Sequence, residues 1–448
     1  MPLSATDLGT LIGEFWQAAR NEWARLTTLQ KKMEGKLLRT WMPDSADLEY
    51  KDLFRKASSP WPLFARNSIA QGCRIEGYTN ELVWRRAWQA SGMDGRQVEL
   101  NRDAIGLGYS YLASLPHATP GRVVMRPMSS LVTFAVYEDP YDESPQHVLH
   151  LVSGSLSQPK SLRWMFIDAE GVYRFQGSAR TPERITFDPH GLGHCPVARI
   201  QNTLPIYGAP QSSIADALPV YQRIVDATFT LQMVQRYGAF PQKWMAGGEI
   251  ATDANGNPLV RSSVDGLLHA SGASGETARF GTFTAADLPG VVTALNKHIQ
   301  DFSALVQVPP HSLLVPMSNI SGDTITASES GYKRNIRDRQ TALGEGYELA
   351  MRNAGDLLGI ADESLLDAEM AWADESTRSL DQVADAVVKL ASVDAPLELL
   401  FGLVPGWSRA DAMDAATEVA QRRAAAAAIE APPRGPQLAI PAPQNPPA

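Results

Sequence analysis

Apolar residues recur every three to four positions at Leu8, Leu11, Phe15, Trp16, Trp23 and Leu26, a spacing that predicts a helix over residues 5–38. A second helical stretch, 53–71, is interrupted by Pro60 and Pro62. Residues 81–112 read as two helices broken near Gly92 to Gly95. The pattern then changes. Apolar and β-branched residues alternate in short pieces over 122–125, 131–137, 147–152, 163–167 and 172–175, separated by Gly, Pro, Asp and Ser. This predicts an antiparallel sheet spanning Val123 to Phe187. Another short strand carries Pro196, Val197, Ala198 and Ile200, and a turn over 202–210 is punctuated by Gly208 and Pro210.

Ser212 and Ser213, residue types that cap helix N-termini, precede a long helix with apolar positions at Ile214, Leu218, Tyr221, Val225, Phe229 and Met233. That helix carries few charges and stops at Gly238, before Pro241. Asn255-Gly256 predicts a two-residue hairpin turn, and the Gly/Ser-rich stretch 271–281 a loop. Helix resumes over 285–306, where Leu288, Val291, Val292, Leu295, Ile299, Phe302 and Leu305 share one face and Pro309 and Pro310 follow. Asp323 or Thr324 is placed to cap a further helix to about Leu358. A last helical region, 379–428, is split near Pro396 and again over 404–408. The Pro-rich tail 431–448 lacks the apolar content for a core and is expected to be disordered. The fold class is α+β.

Composition narrows the picture. With 448 residues and 44% hydrophobic content the chain can bury a sizeable core in two to four structural units. No apolar run is long enough for a membrane span, and the N-terminus predicts no secretory leader. Two cysteines, Cys73 and Cys195, cannot form a disulfide framework and fit a reducing compartment. A formal net charge of −9 excludes a protein that holds nucleic acid by bulk attraction, though not one that lets it pass without gripping it.

Candidate chemistry is sparse. Asp188, His190, His194 and Cys195 lie close together, but their spacing matches no zinc pattern, so they are read as structural and no metal or cofactor is expected. The run GLGYSY from Gly106 lacks the third glycine and the preceding strand of a dinucleotide fingerprint, and is read as a closely packed helix. No P-loop, HExxH or GxSxG occurs, and no catalytic residue is assigned. Trp16, Trp23, Trp61, Trp84 and Trp88 fall in amphipathic helical patterns and are read as packing anchors, with base stacking the alternative. Lys333, Arg334, Arg337 and Arg339 form one basic cluster with Asp338 among them. A solvated or salt-bridged face is the first reading, and DNA phosphate or a neighbouring subunit's acids the second.

One ordered set of segments carries a family resemblance. Pro196 to Asn202, Tyr207-Gly208, Ser212 to Ile214, the helix to Met233 and FPQKWMAGG from Phe240 come first. FTAADL from Phe283, VPPHSLL from Val308 and the run Ser321 to Arg352 follow, with AIGLGYSYL and YEDP upstream. Together they resemble portal proteins of tailed double-stranded DNA bacteriophages, over roughly residues 50–360. The resemblance implies a portal-type multidomain subunit with wing, two-helix stem, β clip and helical crown. Wing helices and sheet would span 1–211, stem helix one 212–238, the clip 239–284 (with Lys243, Trp244, Asn255 and Gly256) and stem helix two 285–308. The tunnel-loop region 309–322 would put Pro316, Met317, Ser318, Asn319, Ile320, Ser321 and Gly322 at the channel. The long wing helix would cover 323–361, the crown 362–430 and the tail 431–448.

The resemblance also implies rings of about 12 copies at one capsid vertex, assembled in the host bacterial cytoplasm. Such a ring packages and ejects double-stranded DNA. It docks the large terminase and then head-tail adaptors, contacts major capsid and scaffold proteins, and has no membrane partner. Two other classes stay open: a virion structural or connector protein without a DNA channel, and an enzyme whose site short motifs do not reveal.

Overall fold

A computed structural model describes residues 2–40, 48–139, 142–154, 158, 161–206, 208–238, 243–246, 279–282, 288–309, 322–360, 363–373, 380–392, 395–404 and 409–430. The chain divides into two compact units, Met1–Trp372 and Ala373–Ala448.

The first helix, α1 (Ala5–Met33), starts where Ser4 Oγ accepts a 3.2 Å hydrogen bond from the Asp7 amide, and ends with Lys31 and Lys32 in its last turn. Both features suit the helix dipole. Its N-terminal half packs Leu8 and Ile12 into a core with Leu149, Trp164, Phe166, Tyr173 and Phe175. Its C-terminal half sends Leu26 and Met33 into a second, larger core. One helix therefore joins two hydrophobic cores. Each fully buried side chain of this size contributes about 1.5–3 kcal/mol.

The first core lies on a five-stranded antiparallel meander of β4 (Thr133–Val136), β5 (His147–Ser153), β6 (Arg163–Ile167), β7 (Gly171–Ser178) and β8 (Thr181–Pro189), in that spatial order. Trp164 is its aromatic centre. Its ring stands 5.9 Å from Trp16 and 6.2 Å from Trp23, and its Nε1 donates to the Gly177 carbonyl at 3.0 Å.

The larger core gathers α2 (Leu48–Ala57), α3 (Trp61–Gln71), α4 (Glu81–Val83) and α5 (Met93–Leu107) around a three-stranded sheet. In that sheet β2 (Tyr109–Pro116) lies between β3 (Val123–Met128) and β9 (Val197–Gln201), antiparallel to both. Two expectations are corrected here. The segment 109–112, read as helix, is the start of β2: Gly108 ends α5 at φ +109, and a Cβ there would sit 2.3 Å from the Pro210 carbonyl oxygen. A close approach by a distant loop therefore decides where the helix stops. The strands from Val123 to Phe187 also belong to two sheets, because β3 pairs with β2 and not with β4.

After β9 the chain makes a short 3₁₀ turn at Ala215–Ala217 and enters α6 (Leu218–Gly238), which packs against α2 and α7 (Leu288–Val306). Between them in sequence, β10 (Lys243–Ala246) and β11 (Arg279–Thr282) pair antiparallel. The longest helix, α8 (Gly322–Leu357), lies on β9 and β2. Gly346 permits this contact, since a Cβ there would meet Arg199 O at 2.6 Å. Residues 370–372, inside the span 362–430 that the resemblance assigns to the helical crown, form β12 (Met370–Trp372), which pairs with β1 (Ile75–Tyr78).

The second unit contains α9 (Leu380–Ala391), α10 (Leu397–Phe401) and α11 (Arg409–Glu430), with α10 packed on its two neighbours and Leu400, Ala412 and Ala416 buried. No helix among the described residues is long and apolar enough to cross a membrane.

Candidate functional site

The helix ending at Gly238 is notable in the sequence for its few charges, and the structure shows how α6 and its partner α7 use theirs. Among the 21 residues of α6 only Arg223, Asp226 and Arg236 are charged. Arg236 pairs with Glu49 on α2 at 2.5 Å, and Asp226 accepts from Gln222 at 3.1 Å. On α7, Lys297 and Asp301 pair at 2.8 Å one turn apart, and the hydrogen bond from Lys297 holds the Asp301 carboxyl below its ordinary value. Phe229 on α6 meets Phe54 edge-on at 5.7 Å, while Ile299, Phe302 and Val306 bury the C-terminal half of α7. Toward the β10–β11 end, Leu288 and Val292 stay exposed.

At the other end of α6 the backbone is pinned by Asn202. Its Nδ2 donates to the Gln211 carbonyl at 2.8 Å and to Ser213 Oγ at 2.9 Å. Ser212 Oγ accepts from the Ile214 amide at 3.1 Å, so the expected serine cap serves the 3₁₀ turn that leads into the helix. This junction also captures one of the cluster cations. Arg339 on α8 donates through Nη1 to the Asn202 carbonyl at 2.9 Å and through Nε to Asn335 Oδ1 at 3.2 Å.

The basic cluster thus divides by role. Arg339 is half-buried and structural, and Lys333 pairs with Glu329 at 3.4 Å. Arg334 and Arg337 are exposed. Neighbouring contacts anchor the same stretch of α8: Tyr332 Oη donates to the Ser68 carbonyl at 2.7 Å, and Gln340 Nε2 to the Gly72 carbonyl at 2.9 Å.

Lys243 and Trp244 lie in β10, opposite Thr282 and Gly281 of β11. Asn255 and Gly256 fall outside the described residues, as do Pro316, Met317, Ser318, Asn319, Ile320 and Ser321; Gly322 is the first residue of α8.

The four residues near Cys195 do not converge. Asp188 pairs with Arg174 across β7 and β8, His190 Nε2 is 2.8 Å from the Asp168 carbonyl, and His194 Nε2 is 2.9 Å from Asn353 Oδ1. Cys195 is buried with Sγ 3.7 Å from the Ile167 carbonyl, and burial pushes its thiol well up. Among the described residues no group of three or more His, Cys, Asp or Glu side chains is placed to hold a metal ion. Of the tryptophans, Trp16 and Trp23 pack on Trp164, and Trp84 stacks on Trp88 at 4.9 Å.

One cationic group was not legible in the sequence. Arg85 and Arg86 sit beside Arg122, far along the chain, at a single cleft. An Arg-Arg pair in a helical run is an ordinary surface feature, and only the fold supplies the third arginine.

The family described as Phage portal protein, SPP1 Gp6-like, matches residues 73–426. No curated protein matches the chain in sequence. Among solved structures, the chain is similar to one from a virion of a native gene transfer agent (GTA) particle, at 13% identity and TM-score 0.46, covering 83% of this chain and 95% of that one. It is similar also to a chain from the neck of a native GTA particle computed with C12 symmetry, at 13% identity and TM-score 0.46, covering 84% and 95%.

Proposed function

We infer a role from descent: the chain belongs to the phage portal protein family of the SPP1 Gp6-like type. We propose that it assembles as a closed ring of about 12 copies at one vertex of a phage capsid and forms the channel through which double-stranded DNA is packaged and ejected. In this reading α6 and α7 are the stem, residues 239–284 the clip, the two sheets with α8 the wing, and the helices after residue 373 the crown. Residues 316–322 form the tunnel loop at the narrowest point. The outer end of the ring docks the large terminase, which supplies ATP hydrolysis, and later the head-tail adaptors; major capsid and scaffold proteins meet its flanks. The protein is a structural component of the virion, assembled in the host cytoplasm.

The observation that carries this reading is the family match over residues 73–426, which spans both sheets, the α6–α7 pair and α8. The electrostatics support it. Every phosphate that a wall neutralises adds affinity and hence drag, so a channel for a moving polyanion should hold few unpaired cations. A chain of net charge −9, whose two candidate stem helices carry three cations and keep Arg236 and Lys297 in ion pairs with Arg223 exposed, fits that requirement. Deletion of Ser318 to Ser321 in the full-length protein tests the loop assignment. Rings that still assemble but package or retain less DNA are expected; undiminished packaging by such rings would contradict it.

A further inference from the structure

The cleft that joins Arg85, Arg86 and Arg122 has no part in the channel just proposed. Its first wall is the π-helical turn Trp84–Trp88 that continues α4. Such turns are rare and are often found at functional sites. Trp84 and Trp88 stack in the interior at 4.9 Å, which leaves Arg85 and Arg86 facing solvent. The second wall is the β2–β3 connection, where Gly121 takes φ +77 and turns the chain so that Arg122 faces the same space. A Cβ built on Gly121 would lie 3.8 Å from Arg86 Nη1, so the Arg86 guanidinium reaches across to the β2–β3 turn.

Both walls are fixed. Ser91 Oγ, just beyond the π turn, donates to the Val123 carbonyl at 3.2 Å and accepts from the Met125 amide at 2.8 Å, tying the helical segment to β3. In the loop, the Thr119 amide donates to His117 Nδ1 at 2.8 Å, and the His117 amide to the Arg122 carbonyl at 3.3 Å. The guanidinium groups are therefore carried on a pre-organised frame.

The cleft has a volume of about 500 Å³, and its lining residues include three arginines and no carboxylate. Of the three, Arg85 is paired with Glu81, one turn back, which meets its Nε at 2.7 Å in an exposed pair of little energetic weight. Arg86 and Arg122 make no ion pair among the described residues, so the opening keeps positive charge that suits an anion. Ala90 and Pro120 are the only apolar side chains in the lining, so the cleft lacks the buried anchors from which a protein interface draws its affinity. Guanidinium forks instead match the oxygens of a phosphodiester, and a duplex presents such groups at every step.

We propose that Arg85, Arg86 and Arg122 form a phosphate-backbone site for duplex DNA, separate from the α6–α7 pair. The choice of DNA as ligand rests on the proposed function; the anion site itself does not.

The test is fluorescence anisotropy of a short random-sequence duplex with the full-length protein across a salt series. Arg86→Ala with Arg122→Ala is compared with wild type and with a control at two exposed arginines outside every site described above, Arg96→Ala with Arg163→Ala. Unchanged thermal unfolding of each variant verifies the fold. Loss of about tenfold in affinity at low salt, with the log–log salt slope reduced by roughly 1.8 for two lost phosphate contacts, is expected for the cleft variant alone. The Arg86→Lys, Arg122→Lys variant should lie between, since it keeps charge and loses the fork. Equal affinity and slope in wild type and the cleft variant would overturn the proposal, as would selective loss of binding to an acidic protein partner. Micrographs of the same samples report ring assembly, so failure of the ring reading and failure of the cleft are seen separately.

Discussion

Tyr347 on α8 donates a 2.7 Å hydrogen bond to Asn101 Oδ1 on α5, across 246 residues of chain, and both side chains are buried. Asn101 in turn donates through Nδ2 to the Cys73 carbonyl at 2.6 Å, just before β1. The Tyr347 ring stands edge-on to Trp88 at 5.7 Å and to Trp372 at 6.4 Å. One side chain thus joins the long helix, α5, the π turn and the β1–β12 ladder. Tyr347→Phe leaves Asn101 Oδ1 unpaired in the interior and should cost about 1–3 kcal/mol. Tyr347→Leu also empties ring volume and should cost more. Chemical denaturation reads both; equal stability of Tyr347→Phe and wild type would show that the bond contributes nothing net.

The packing of α8 on β9 depends on a missing methyl group. Gly346→Ala would bring Cβ against backbone atoms of Arg199 and Ile200, which cannot swing aside as a side chain can. A loss of about 1–3 kcal/mol is expected. Two residues earlier in the same helix, on another side of it, Gly344 has only ordinary contacts at 3.7 Å. Gly344→Ala should therefore be neutral or stabilising by up to about 1 kcal/mol, from helix propensity alone. Equal thermal shifts in the two variants would contradict this account.

His150 makes stability depend on pH. Its Nδ1 lies 2.8 Å from Thr133 Oγ1 inside the five-stranded sheet, and burial, aided by Arg126, pushes the imidazole from its ordinary 6.5 down to about 4. Burial lowers His147 on the same strand as well. A lowered value means that the unfolded chain binds the proton more readily than the folded one. The neutral ring's contribution is complete above about pH 6.5, is lost progressively as pH falls to 4, and changes no further below that. The loss from His150 should be of order 3 kcal/mol. His150→Gln should flatten the stability–pH profile in that window. An unchanged profile would place the dependence elsewhere.

The division of the α8 cations predicts opposite phenotypes for neighbours. Arg339→Ala removes the donor to the Asn202 carbonyl and should destabilise the protein by about 1–3 kcal/mol. Arg334→Ala and Arg337→Ala, at exposed positions, should each change stability by less than about 0.5 kcal/mol. Comparable unfolding midpoints for all three would refute the division.

What could be read from the sequence follows from which forces act locally. The 3.6-residue pattern of α1, α6 and α7 and the alternation in β5, β6 and β7 are local, and those elements appear where the pattern places them. The pattern extends helix over the first half of β2, residues 109–112, because the true boundary is set by Pro210, about a hundred residues away, pressing on Gly108. β8 has only Ile185 and Phe187 as alternating apolar positions, because it is a largely polar strand at the edge of the sheet, with Arg184 at φ +53. The split of the basic cluster likewise needed the fold, because only the approach of Asn202 distinguishes Arg339 from Arg337. The third arginine of the cleft lies 36 positions beyond Arg86 and is brought there by the β2–β3 turn. The family was legible because the ordered set of segments survives where each piece alone is weak.

Electron microscopy of the purified full-length protein tests the central claim most directly. A ring-forming channel subunit predicts closed rings with an axial opening wide enough for duplex DNA. A population of monomers, or of closed particles without such an opening, would contradict it.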